Sequence, residues 1–150
     1  MANHLEAEQL IKARLFARVP SIDSKHIFSA ADLEGVKERS QATPALHLLY
    51  AGDNVIASSS GNGQAQEFEQ LWNVVVVVRN VRDISGEATR LQSGEIIDSV
   101  LKALQGWNPS PAHSKLKRKS SPYRPTYRNG FAYFSFQFST QMNITGLGND

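Results

Sequence analysis

The stretch Trp72-Asn73-Val74-Val75-Val76-Val77-Val78-Arg79-Asn80 decides how this chain folds. Five consecutive valines are stiff at χ1, poor in a helix and well suited to a pleated sheet. In a strand, Val74, Val76 and Val78 point to one face, Val75 and Val77 to the other. Both sets are apolar, which predicts a strand covered on both sides at the middle of a sheet. Fully burying one valine is worth roughly 1.5 kcal/mol or a little more, so this strand anchors the fold. Arg79, Asn80, Arg82 and Asp83 then return the chain to water. None of these residues carries chemistry.

Working backwards, the strand begins by about Phe68. It faces a partner, Ala45-Leu46-His47-Leu48-Leu49-Tyr50, opened by Pro44 at a position that need not donate to a ladder. Gly52 to Gln66 lies between the two as a long, flexible turn, with Ser58-Ser59-Ser60-Gly61-Asn62-Gly63 as a permissive tip. That tip lacks the lysine and following helix of a phosphate-binding loop. Nearer the start, Asn3 and Glu6 have the spacing of a capping box. Leu5, Leu10, Ile11, Leu15, Phe16 and Val19 follow at helical spacing until Pro20. Ser21 to Phe28 reads as a connector with an extended piece at His26-Ile27-Phe28. Ser29 and Asp32 signal a short helix near Ala30–Val36, followed by a polar loop from Lys37 to Thr43.

Working forwards, Asp83–Gly86 is a turn and Glu87–Gln105 the main helix. Ala88, Leu91, Ile97, Val100, Leu101 and Leu104 form its apolar face, and Gly94 is placed for close packing on the sheet. Gly106 stops it. After a proline-rich stretch, in which Leu116 marks a possible short strand, Asn129-Gly130 signals a turn. The clearest alternation in the chain follows: Phe134, Phe136 and Phe138 on one side, Tyr133, Ser135, Gln137 and Ser139 on the other, a half-buried strand. One domain is expected over residues 1–150, with a basic loop at about 108–128 and a flexible tail at about 143–150.

The chain has no cysteine, which excludes disulfides, thiol nucleophiles and thiolate metal sites. The opening Met1-Ala2-Asn3-His4-Leu5-Glu6 lacks a signal-peptide pattern, and no apolar run approaches the roughly 20 residues of a membrane helix. A soluble cytoplasmic protein with no membrane contact is expected. The histidines at 4, 26, 47 and 113 stand in no metal-ligand or nucleophile motif, so no catalytic residue, metal or cofactor is expected. His4 reads as solvated and His47 as structural. Glu67 and Glu69 read as an exposed strand start.

Charge is where the sequence is asymmetric. The net charge is +2, yet His113–Arg128 holds six basic residues and no acidic one, leaving ten basic and fourteen acidic residues elsewhere. Lys115, Lys117, Arg118, Lys119, Arg124 and Arg128, interleaved with Tyr123 and Tyr127, are the candidate assembly or polyanion contacts. The segment reads either as a solvated loop pinned by its tyrosines or as an assembly contact. Direct nucleic-acid binding ranks below both. With Pro111 just before it, Pro122 and Pro125 within it and no acidic residue, it is expected to be mobile in the free subunit and to become ordered on assembly.

Four pieces, in order, resemble the bacteriophage tail-terminator family of tail completion or minor tail proteins. They are Pro44-Ala45-Leu46…Tyr50-Ala51-Gly52; Trp72…Val78-Arg79-Asn80-Val81-Arg82-Asp83; Gly94…Asp98…Val100…Ala103-Leu104-Gln105-Gly106-Trp107; and Pro125…Tyr127…Gly130-Phe131-Ala132-Tyr133-Phe134…Phe138…Thr140. The resemblance implies an α+β fold: a mainly antiparallel or mixed sheet of about four strands with helices packed against it. It also implies a ring, hexameric in the better-known members, that seats on the last ring of the tail tube. There it stops tube growth and offers a surface to the head. The implied partners are further copies of itself, the tube protein and a head–tail connector, with non-specific DNA contact a further possibility. The implied location is the virion tail, assembled in the host bacterial cytoplasm. The alternatives are a connector or neck protein of the same particle, or a nucleic-acid-binding module.

Overall fold

The computed structural model describes residues 3–38, 42–58, 61–79, 87–128 and 130–149. Helix α1 (Glu6–Arg18) is followed by a short 3-10 turn (Ser24–His26), strand β1 (Ile27–Ala30) and helix α2 (Leu33–Glu38). Strands β2 (Ala45–Ser58) and β3 (Ala65–Arg79) form a long hairpin, and helix α3 (Glu87–Leu104) follows. The chain ends in two short strands, β4 (Lys117–Lys119) and β5 (Thr126–Arg128), and the long β6 (Phe131–Thr145). The fold is α+β. Its sheet has six strands in the order β1-β2-β3-β6-β4, with β5 also on β6. Only β1–β2 is parallel; the other pairs are antiparallel. The short strand marked at Leu116 forms as β4, one residue further on, and β5 is a three-residue edge piece too short to show a period in the sequence.

The valine strand is central, with β2 on one side and β6 on the other. Its register places Val76 between Leu46 and Phe134, and Val75 between His47 and Ser135. Val74, Val76 and Val78 join Leu46, Leu48, Trp72 and Phe138 in a core closed by α1 (Ala7, Ile11, Leu15) and α3 (Ile96, Val100, Leu104). Val75 and Val77 pack on the other face with Ala45, Leu49, Tyr133 and Val36 of α2. All five valines are at most 1% exposed. His47 is fully buried on this second face, its ring 5.0 Å from that of Phe28.

Several local expectations are corrected. Asn3 does not form a capping box: its Oδ1 accepts from Leu5 N at 2.9 Å, one turn ahead of a helix whose N-cap is Leu5. Leu5 and Phe16 are exposed, because the buried stripe of α1 is Ala7, Ile11, Leu15 and then Val19. Ser29 lies in β1, and Asp32 alone caps α2, accepting from Gly35 N at 2.7 Å. In α3 the buried face centres on Ile96, Val100, Ala103 and Leu104, whereas Leu91 is exposed. Gly94 is open to solvent, with nothing within 4 Å of where a Cβ would sit, so it serves no close packing. Gly106 does stop the helix, at φ +77°, a conformation open to glycine at little cost.

The largest correction is the length of β2. The expected long turn is mostly strand: β2 runs to Ser58 and β3 starts at Ala65, with register shifts after Tyr50 and after Val55. Gly52, at φ +93°, sits in the first shift, where an extra residue demands a backbone that other residues adopt at a cost. Of the expected tip, Ser59 and Ser60 lie outside the described residues, as do the turn at 83–86 and Asn129. β6 likewise continues to Thr145, and Gly146 N donates to Gln64 O at 2.6 Å, within the stretch expected to be a loose tail. No described helix is long and apolar enough to cross a membrane.

Candidate assembly surface

The basic segment is built onto the sheet. After α3, Gly106 N donates to Leu116 O and Leu116 N to Trp107 O, both at 2.9 Å, which brings the chain back to the sheet. Ser114 N donates to Gln141 O at 3.0 Å, Gln141 N to Ser114 Oγ at 2.8 Å, and Thr140 Oγ1 to Ser114 O at 2.7 Å. Leu116 is 1% exposed and is the apolar anchor of the segment. Lys117–Lys119 then pair with Ser139–Gln137, and Thr126–Arg128 with Tyr133–Phe131. The intervening residues, 120–125, leave the edge of β6 open at Phe134–Phe136. They frame a notch of about 380 Å³ lined by Arg118, Lys119, Ser121, Pro125, Phe134 and Phe136, among others. Ser135 Oγ is buried there with no hydrogen-bond partner.

Strand alternation divides the eight candidate residues. Lys117, Lys119 and Arg128 lie on the α2 face of the sheet and Arg118 and Tyr127 on the α1/α3 face, as their cross-strand partners require. Lys119 Nζ is 2.8 Å from Glu69 Oε1, and Arg128 Nη1 is 3.3 Å from Glu34 Oε2. The Arg118 guanidinium lies 5.3 Å from the Phe136 ring centre, and the Tyr127 ring is edge-on to Phe134 at 6.4 Å. Among the described residues, Lys115, Lys117 and Arg124 have no carboxylate in ion-pair range. Tyr123 borders the groove between this segment and α2. The six cations are therefore not one solvated patch: two are committed to carboxylates and one to an aromatic face.

A second surface escaped the sequence reading. Beyond Leu49, β1 no longer covers the outer edge of β2, so residues 51–58 have no strand partner on that side. Val55 (70% exposed) and Ile56 (47%) lie there. Together with the distal ends of β3 and β6, this part of β2 makes an arm. Its face bears a groove of about 360 Å³ lined by His4, Asp53, Val55, Phe68 and Ile144, among others. His4 is docked, not solvated: its ring stacks on Phe68 at 5.3 Å, and Nε2 lies 3.3 Å from Tyr50 Oη and 3.5 Å from Asp53 Oδ2. Burial, then the charge and hydrogen bond of Asp53, push the Tyr50 hydroxyl above its usual range. A signal for this surface was present, since no Lys or Arg occurs from Ser40 to Val78 or from Asn129 to Asp150.

Little among the described residues resembles a reaction centre. Ser110 Oγ lies 2.7 Å from His113 Nδ1, but Ser110 Oγ also accepts from Ala112 N at 3.1 Å, the arrangement of a turn cap. His113 is 3% exposed, and burial holds its pKa below the usual histidine value against the opposing charge of Glu6. No group of three or more His, Asp or Glu residues suited to a metal occurs among the described residues. Glu67 is half-buried and Glu69 is the partner of Lys119, so neither is a free acid at a strand start.

The distinctive side chains of this α+β fold lie along two sheet edges. Residues 1–149 match the family model described as phage tail terminator protein, and the chain belongs to that family. Its fold is similar to that of a chain in the virion of a native gene transfer agent particle, with a TM-score of 0.52 at 9% identity. The match covers 91% of this chain and 97% of that one, and at such an identity it speaks to the fold alone. A search of curated proteins found no match. Family and fold together point to a structural protein of the phage tail.

Proposed function

We propose that this protein is the tail terminator itself: a ring-forming subunit that caps the tail tube, stops its polymerisation and presents the head-attachment surface. The family match across residues 1–149 carries the reading. The concentration of unusual chemistry on two opposite sheet edges supports it, because a subunit with different surfaces on its two sides associates head to tail. Such contacts form closed rings when the rotation between neighbours closes, and a hexamer is the stoichiometry proposed. The partners are further copies of the chain, the tube protein and a head–tail connector. The site of action is the virion tail, assembled in the bacterial cytoplasm, and the role requires no reaction or cofactor.

Non-specific DNA contact is a lesser element of the proposal, resting on Lys115, Lys117 and Arg124, which among the described residues pair with neither a carboxylate nor an aromatic face. Electron microscopy of particles assembled without this protein tests the reading. Overlong, headless tails are expected. Normal-length tails beside heads that leak DNA would overturn it in favour of a connector.

A further inference from the structure

We infer that the neighbour contact is edge to edge: the open length of β2 on one copy lies along the basic edge formed by β4 and β5 on the next. The inference rests on the ring-forming role proposed above and names the surfaces that make it. Three observations carry it. The sheet ends in two unsatisfied edges, β2 beyond Leu49 and the outer side of β4 and β5. Exposed edges of this kind are templates for a further strand unless charge or shape blocks them.

The charges on the two edges are opposite in sign. β4 is Lys117-Arg118-Lys119, with no acid anywhere between His113 and Arg128. The bare length of β2 has no Lys or Arg and carries Asp53, with Glu67 beside it on β3 opposite Ala57. Two β4 edges placed together would set cation against cation, so self-pairing there is disfavoured. An edge free of cations and flanked by carboxylates relieves that repulsion.

The β2 edge is also apolar where it is bare. Val55 and Ile56 are among the exposed large hydrophobic residues, and both lie in the length that β1 fails to cover. The opposite edge offers an apolar floor in the notch, where Phe134 and Phe136 are reached between β4 and β5. Within one chain the two edges cannot meet, because β3 and β6 stand between them. The complementarity is satisfied only between copies, and it is head to tail.

The natural chain has no cysteine, so engineered thiols report contacts without background. The test is oxidative cross-linking of Ile56→Cys/Lys117→Cys, with purified tail tubes present and mass photometry of the unmodified protein alongside. Within one chain these positions are three strand spacings apart, about 14 Å, beyond the roughly 7 Å Cα limit of a disulfide. A ladder of cross-linked oligomers from the double variant, absent from either single variant, is expected. Reversing Lys117→Glu and Arg124→Glu should lower association about tenfold, and adding Asn54→Lys and Glu67→Lys should restore it. Rings without a ladder would overturn the edge contact and leave the ring reading standing. Dimers from Ile56→Cys alone, or Ile56→Cys linked only to tube protein, would also overturn it. Neither rings nor a ladder would overturn both.

Discussion

The two ends of the β2–β3–β6 ribbon are the same three strands in different surroundings. At Trp72–Val78 the ribbon lies between α1 and α3 on one face and α2 on the other, and β3 is buried at every position. At Ala65–Leu71 no helix core continues, and burial alternates, with Phe68 and Gln70 buried on the face that His4 covers. The proximal end thus holds the stability of the fold, while the distal end has apolar residues to spare. Exposed Val55, Ile56, Ile144 and Leu147 lie there or just beyond. Large exposed apolar groups gathered at one end of a molecule mark a contact surface, whereas the same residues sandwiched between helices mark a core.

A pair of equivalent substitutions breaks this contrast if it is wrong. Val76→Asp buries an unpaired carboxylate between Leu46 and Phe134, costing several kcal/mol against a total of roughly 5–15, and insoluble or unfolded protein is expected. Val55→Asp, on the bare edge, should stay folded with its melting temperature nearly unchanged. Equal effects at the two positions, measured by thermal unfolding, would erase the distinction between the ends.

The boundary between the ends is held by Gln70, which is fully buried. Its Nε2 donates to His4 O and its Oε1 accepts from Trp72 Nε1 at 3.2 Å. Gln70→Ala leaves the buried indole N–H without its partner, and a loss of about 1–3 kcal/mol in urea unfolding is expected. Because His4 also loses its anchor, the arm groove should become more accessible to solvent, readable as faster hydrogen exchange around Phe68. An unchanged urea midpoint would show that the N-terminal segment does not brace the arm.

The smallest effect concerns acid. His113 lies in the segment that joins the end of α3 to β6, and burial lowers its pKa. In the unfolded chain it takes up a proton as pH falls through about 6.5, whereas the folded form resists doing so. Stability should therefore be level in this respect above about pH 6.5 and decline below it. His113→Gln should flatten that decline between pH 6.5 and 5, leaving only the carboxylate contributions. A slope identical to that of the unmodified protein would remove His113 from the account.

Much of the centre of this fold was legible residue by residue. Five valines, the Phe134–Phe138 alternation and the Gly106 stop are local patterns, and each states its own periodicity or backbone demand. The charge imbalance of His113–Arg128 was equally plain. Its organisation was not, because Lys117-Arg118-Lys119 has no apolar alternation and becomes a strand only through pairing with Gln137–Ser139. The ion pairs of Lys119 with Glu69 and Arg128 with Glu34 likewise join residues far apart in sequence. Gly52-Asp53-Asn54 has the composition of a turn, yet β2 passes through it because β3 continues to offer partners across the bulges. Sequence alone determined where the core strand lies and which segment is basic, since side-chain stiffness, polarity and charge belong to individual residues. Only the tertiary structure decided which strand edges stay open and which cations stay unpaired, because both depend on what non-local backbone pairing leaves over.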